Sequence, residues 1–318
     1  MRKELATFLL LVLLCVIVTA LNPRFVSPAN LQNTARLIGA YGIFSLGLGL
    51  VIITGGIDLS VGSSFALLGV LLCLMLTEMH VAWPIAILAI IALAAALGAV
   101  HGLLITRLRL QPFIVTLCGL LVYRGLARFI ANDETKGFGD AAGFQSLRVL
   151  ATGSVLQVPT PFIALVVISV VMWFVLHRSI YGRHLVATGR NEVAARYSGI
   201  DSRRVVLTAY VILGALVGVS AIIFAFYTNS ISPSSHGNFF ELYGIAAAVL
   251  GGCSLRGGEG SVIGILLGTT LLQVLQNLVN LLGIPSSLNF AVMGSVIFVG
   301  VVGDQILQRR AARVTAAA

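Results

Sequence analysis

Apolar runs of near-constant length, separated by short polar breaks, make up most of this chain. They cover Leu5–Leu21, Thr34–Thr54, a stretch that follows GGIDLSVGS (Gly55–Ser63) and ends at Leu76, Val81–Leu104, Phe113–Ala131, Thr160–His177, Val205–Tyr227, Glu241–Leu250, Ser261–Leu282 and Ser287–Leu307. About 20 residues of helix cross the hydrocarbon layer of a bilayer, and a helix satisfies its own backbone there. The pattern predicts an all-α integral membrane protein with about ten transmembrane helices, among which Glu241–Leu250 is short for a crossing. Leu5–Leu21 follows a charged start, and Thr19-Ala20 loosely resembles a signal-peptide cleavage site. Its apolar core exceeds the about 7–15 residues usual for a signal sequence, so it is read as the first span.

The breaks differ in kind. Asn22–Asn33 carries Pro23 and Pro28, TRLRLQP turns the chain before Phe113, and Asn132–Pro159 is polar with no apolar periodicity, so it is predicted to be a long loop. Tyr181–Arg204 (YGRHLVATGRNEVAARYSGIDSRR) is strongly polar yet patterned. Asn191 can cap a helix whose first residue is Glu192, an acid at the positive helix end, and Gly199 suits its C-terminal stop. Glu192 and Arg196 then stand i,i+4 on the wet face, and Val193, Ala194, Tyr197 and Ile200 form a narrow apolar stripe. A helix of about two turns does not stand alone. Either it meets a partner surface, which the small residues Ala194, Ala195 and Gly199 would let approach, or the segment is an ordinary solvated loop.

Composition agrees with the membrane reading: of 318 residues, 58% are hydrophobic and 10% are charged, against about 25% charged in a soluble domain. The net charge of +9 reads as an orientation signal. With ten spans and both termini cytoplasmic, fourteen basic residues (Arg2, Lys3, Arg107, Arg109, Arg178, Arg183, Arg190, Arg196, Arg203, Arg204, Arg256, Arg309, Arg310 and Arg313) fall inside. Only Arg24, Arg36, Lys136 and Arg148 fall outside, so no basic cluster is left to argue for nucleic acid. Cys15, Cys73, Cys118 and Cys253 lie in separate apolar runs, without metal-site or redox spacing.

GGIDLSVG (Gly55–Gly62) and GGCSLRGG (Gly251–Gly258) share the pattern G-G-x-[D/S]-L-x-x-G. Such an echo fits an internal repeat whose helices break at glycine and line a pathway, and it equally fits glycine-rich helices that pack closely. On the pathway reading, Gly55, Gly56, Asp58, Ser60, Gly251, Gly252 and Ser254 are its candidate lining. Phosphate-loop chemistry needs G-x-x-x-x-G-K-[S/T], and the nearest stretch, GGEGSV (Gly257–Val262), lacks the lysine. No histidines are spaced for a metal, and His101 and His177 near span ends read as interfacial residues. The chain is thus expected to hold no catalytic residue, metal or cofactor of its own. Asp58 and Glu241 lie close to the apolar belt, where acids are functional candidates by default, yet each also reads as a helix cap, for the third and eighth spans.

With GGIDLSVGS, LQPFIVTL (Leu110–Leu117), TGRNEVAARYSGI and ELYGIAAAVLGGCSLRGGEGSVIG in this order, the chain resembles the membrane-spanning permeases of bacterial ABC importers of the ribose, galactose and xylose type, over nearly its whole length. The resemblance implies a single permease domain, 1–318, in the bacterial inner membrane. It implies as partners a second permease copy, an ATPase with two nucleotide-binding halves that holds ATP and Mg, and a periplasmic sugar-binding protein. The family's ATPase-docking motif, glutamate-alanine-alanine then three residues and glycine, maps onto Val193, Ala194, Ala195 and Gly199, with the glutamate shifted to Glu192. Together with Gly189 and Asn191 these residues, in the cytoplasmic segment 178–204, are the candidate coupling site. A self-sufficient channel or ion-coupled carrier would be expected to pair several charges at mid-membrane, which this sequence hardly does. An importer permease of the related amino-acid branch shares the architecture and is separated by the motifs alone.

Overall fold

A computed structural model describes residues 2–139 and 143–285, with 288, 291, 294, 295 and 298 beyond them. The run Ser287–Leu307 and the tail with Arg309, Arg310 and Arg313 lie almost wholly outside the described residues. Among these, seven helices are long and apolar enough to cross a membrane. They are α1 (Arg2–Leu21), α2 (Pro28–Ile53), α4 (Trp83–Arg107), α5 (Pro112–Ile130), α7 (Thr160–His177), α10 (Ser202–Thr228) and α12 (Val262–Leu281). Two apolar helices are shorter, α3 (Val61–Thr77) and α11 (Phe240–Leu250). The chain is an all-α membrane protein.

α2 is the axis of the fold, with every residue from Ile38 to Ile53 buried. Its glycines explain how one helix can be surrounded. A β-carbon at Gly39 would stand 2.6 Å from the Phe162 nitrogen in α7, one at Gly47 would stand 2.9 Å from the Leu213 α-carbon in α10, and one at Gly49 would run into the Ile265 side chain in α12. Bare backbone at these three positions lets three helices close on it, as small residues do in membranes. α4 and α10 are joined in the same way, Gly98 against Tyr210 and Gly214 against Ala94. α1 lies at the edge. Its span is only 11% buried, and it is fixed against α11 and α12 where Thr7 Oγ1 donates to the Leu250 carbonyl (2.9 Å) and Asn22 Nδ2 to the Leu281 carbonyl (3.0 Å).

The predicted long loop is partly structured. Residues 145–152 form α6 (Gln145–Thr152), Lys136–Gly137 (β1) pairs antiparallel with Ser230–Ile231 (β4), and Ser154–Val155 (β2) pairs with Val158–Pro159 (β3). The organising contact is aromatic: Phe138 stacks on Phe226 at 4.2 Å and Phe144 packs beside both, so two rings isolated in sequence find their partner on α10.

Candidate functional site

The polar segment after α7 folds into α8 (Ile180–Arg190) and α9 (Glu192–Tyr197) before α10 begins at Ser202. α9 starts where the sequence predicts. The Asn191 side chain accepts from the Ala194 amide at 3.0 Å, and Gly199 ends the segment with φ +82°. Arg196 Nη2 donates to Glu192 Oε1 at 2.5 Å while its Nε donates to Ser202 Oγ at 2.7 Å, which ties α9 to the first residue of α10. Most of the apolar stripe faces outward, Val193 63% and Tyr197 91% exposed, whereas Ile200 packs against the core, and nothing lies within 4 Å of where a Gly199 β-carbon would stand. Ala194 is exposed as well. Ala195 is the exception to the expected docking face, since it is buried at 4% against its own chain.

Gly189 belongs to a different contact. A β-carbon there would strike the Ile53 carbonyl at the end of α2 and stand 2.6 Å from the Gly258 nitrogen. The Gly258 amide donates to that carbonyl at 2.8 Å, and Gly257 (φ +84°) is packed against the Gly189 carbonyl and the Gly55 backbone. The end of α8, the end of α2 and the turn after α11 therefore meet backbone to backbone. The two echoing glycine motifs converge here through Gly55 and Gly257–Gly258. The last two glycines are the site residues that sequence reasoning passed over, although they close the second motif.

The remaining motif residues separate. Gly56 lies under the Tyr210 hydroxyl, and Gly251 packs on the backbone of Gly264 in α12, where a side chain has no room. Gly252 has φ +93°, and Ser254 Oγ accepts from the Arg256 amide inside the tight turn 254–257. At Gly251 close packing accounts for the glycine without a pathway.

Asp58 and Ser60 lie on a non-helical strap, Gly56–Ser60, that runs from the glycine contact to the start of α3. Asp58 is 4% exposed and is not the cap of α3: its Oδ1 accepts from the Ser60 amide (2.8 Å) and hydroxyl (2.7 Å). Its Oδ2 lies 3.5 Å from His101 Nδ1, whose Nε2 is 2.8 Å from the Tyr123 hydroxyl. A proton on Nδ1 facing the carboxylate leaves Nε2 to accept from Tyr123, which satisfies all three groups. Tyr210 donates to the Ile57 carbonyl at 3.0 Å, fixing the strap from α10. A cavity of about 20 Å³ beside Asp58, Ser60, Ser64 and His101 has room for one water. The expectation of an interfacial His101 is corrected: it is 3% exposed, and Gly119 makes space for its ring. A polar residue in each of two apolar spans, His101 in α4 and Tyr123 in α5, with an acid in the glycine break between two others, was the available signal. His177 is exposed and accepts from the Val262 amide at 3.4 Å.

Among the described residues no group of three His, Cys, Asp or Glu could hold a metal. What the arrangement offers is an outward-facing short helix mounted on a bundle of interrupted helices. Comparison with known proteins shows the family of the chain. The family described as branched-chain amino acid transport system, permease component, matches residues 30–301. The chain is 38% identical over 304 residues to a ribose import permease of Bacillus subtilis (95% of this chain, 93% of the relative). It is 36% identical over 301 residues to a ribose import permease of Escherichia coli (95% and 93%), and 30% identical over 306 residues to a fructose import permease of Bifidobacterium longum (93% and 85%). No solved structure matches. With the family matched from the start of α2 to beyond α12, the chain belongs to the transport-system permease components of this family.

Proposed function

We propose that this chain is the membrane-spanning permease subunit of a bacterial ATP-driven importer that passes a sugar, a monosaccharide, across the inner membrane. The observation that carries the reading is the end-to-end likeness to ribose and fructose import permeases. In this reading a periplasmic binding protein delivers the sugar, a second permease copy completes the passage, and a separate ATPase with two nucleotide-binding halves binds ATP and Mg and does the hydrolysis. The protein crosses the membrane ten times with both termini in the cytoplasm, which puts α9 on the ATPase side. α9 supports this role physically. It is short, capped, braced on α10 by Arg196 and Ser202, and presents Val193, Ala194, Tyr197 and Gly199 to whatever docks.

The test is assembly and uptake with the neighbouring ATPase and binding protein. Ala194→Glu or Gly199→Glu is expected to insert normally, lose the ATPase on purification and support no uptake. At Gly199 any β-carbon also strains a left-handed residue, a cost of about 1 kcal/mol. Wild-type uptake with a retained ATPase in both variants would reduce α9 to a plain loop.

A further inference from the structure

The two short helices of this bundle begin at the same point. α11 has 11 residues and α12 has 20, about 17 and 30 Å at 1.5 Å per residue. Gly251, just past the end of α11, packs on Gly264 in the first turn of α12, and Ala247 packs on Gly268. The two helices thus run side by side from one level, and α11 starts about halfway along its neighbour. There Gly237, at the turn into α11, is in backbone contact with Gly62, the second residue of α3. A helix start carries unpaired N–H groups and the positive end of its dipole. Two such ends meeting inside a bundle attract an anion to the same place.

The chain supplies that anion itself. Glu241, in the first turn of α11, is 8% exposed, and its carboxylate lies against the backbone of Gly62 at the start of α3. A β-carbon on Gly62 would run into Oε2. Half-buried Arg124 of α5 brings its guanidinium to the same turn, donating to the carbonyls of Pro233 (3.0 Å) and His236 (2.9 Å) just before α11. Phe240 packs on Phe65 of α3 (5.1 Å) and on Tyr41 of α2 (4.8 Å), which keeps water from the junction. Asp58, the acid expected to cap α3, turns its oxygens to Ser60 and His101 instead.

We propose that Glu241 is a built-in anion that clasps the starts of α3 and α11, and that this clasp is a positioning element of the transport cycle. The proposal rests on the permease reading for its functional half. Glu241 holds interrupted helices from the two halves of the chain in one register, so that movement of either is passed to the other.

Glu241→Ala removes the carboxylate and leaves a gap with two helix starts and Arg124 facing it. Formate or acetate should then fill the gap. The expected result in reconstituted permease and ATPase is a fall in sugar uptake of about tenfold, the scale of one charge-assisted hydrogen bond, with the ATPase still bound and uptake partly restored by formate. Glu241→Gln, of the same shape, should also be impaired and should gain nothing from formate. In detergent, with no transport required, formate should raise the unfolding midpoint of Glu241→Ala above that in equal chloride and leave the wild type unmoved. Wild-type uptake by Glu241→Gln would overturn the functional half, and an unfolding midpoint of Glu241→Ala that ignores formate would overturn the clasp. A wild-type complex that moves no sugar while the formate shift persists would instead count against the permease reading alone.

Discussion

Removing the Asp58 carboxylate would leave the Ser60 amide and hydroxyl, and one nitrogen of His101, without a partner in a site only a few per cent exposed. A buried polar group stripped of its partner costs about 1–3 kcal/mol. Asp58→Ala is therefore expected to lower the thermal midpoint of the detergent-purified protein by several degrees, and Asp58→Asn, which keeps an acceptor for Ser60, by less. Tyr123→Phe should fall between wild type and Asp58→Ala, because it frees a single acceptor on His101. Thermal melts in which all three variants match the wild type would show that the network contributes nothing to stability. At this scale the sequence was legible where a group answers to its own neighbours. Asn191 caps α9 because the amide it meets is three residues on. His101 was misjudged because its partners, Asp58 and Tyr123, stand 43 positions before and 22 after it, a pairing that only the fold creates.

Along a single element the same divide recurs. α9 was readable from its cap, its salt bridge and its terminal glycine, and α2 from its apolar length. Which face of α9 turns inward was not, since Ala194 and Ala195 differ only in what the rest of the chain lays against them. That difference is measurable. Ala194→Glu places its charge in open space and is expected to leave the melting temperature unchanged, whereas Ala195→Glu forces a carboxylate into a buried position and should lower both yield and melting temperature. Equal stability of the two variants would contradict the orientation of the helix. Gly189 offers a second test at this scale. Gly189→Ala wedges a methyl between the ends of α8 and α2, so α9 should still hold the ATPase while uptake falls. Uptake at the wild-type rate would mean that this backbone contact is only packing.

For the molecule as a whole, hydropathy gave the class and the long helices, because lipid imposes the same length and polarity on each of them. It did not give the convergence of the two glycine motifs, which depends on where α2 and α11 end in space. The proposed ten-crossing orientation makes a simple forecast. In a cysteine-free background, single cysteines at Val193 and Arg256 should react with a membrane-impermeant thiol reagent from the cytoplasmic side alone, and cysteines at Glu134 and Leu156 from the opposite side alone. Labelling of both pairs from one side would refute that topology. Purified by itself, the chain is expected to hydrolyse no ATP, and turnover that survives removal of contaminating ATPases would refute this. The 11 residues of α11 have a consequence for biosynthesis. A segment about 17 Å long cannot be released sideways into lipid as it leaves the ribosome, because its ends would carry unsatisfied backbone into the hydrocarbon. It has to wait at the insertion machinery until α12 has been made, and then enter the bilayer beside it as a hairpin. A chain ended at Gly260 and released from the ribosome should therefore still expose α11 to protease, and one ended beyond α12 should protect it.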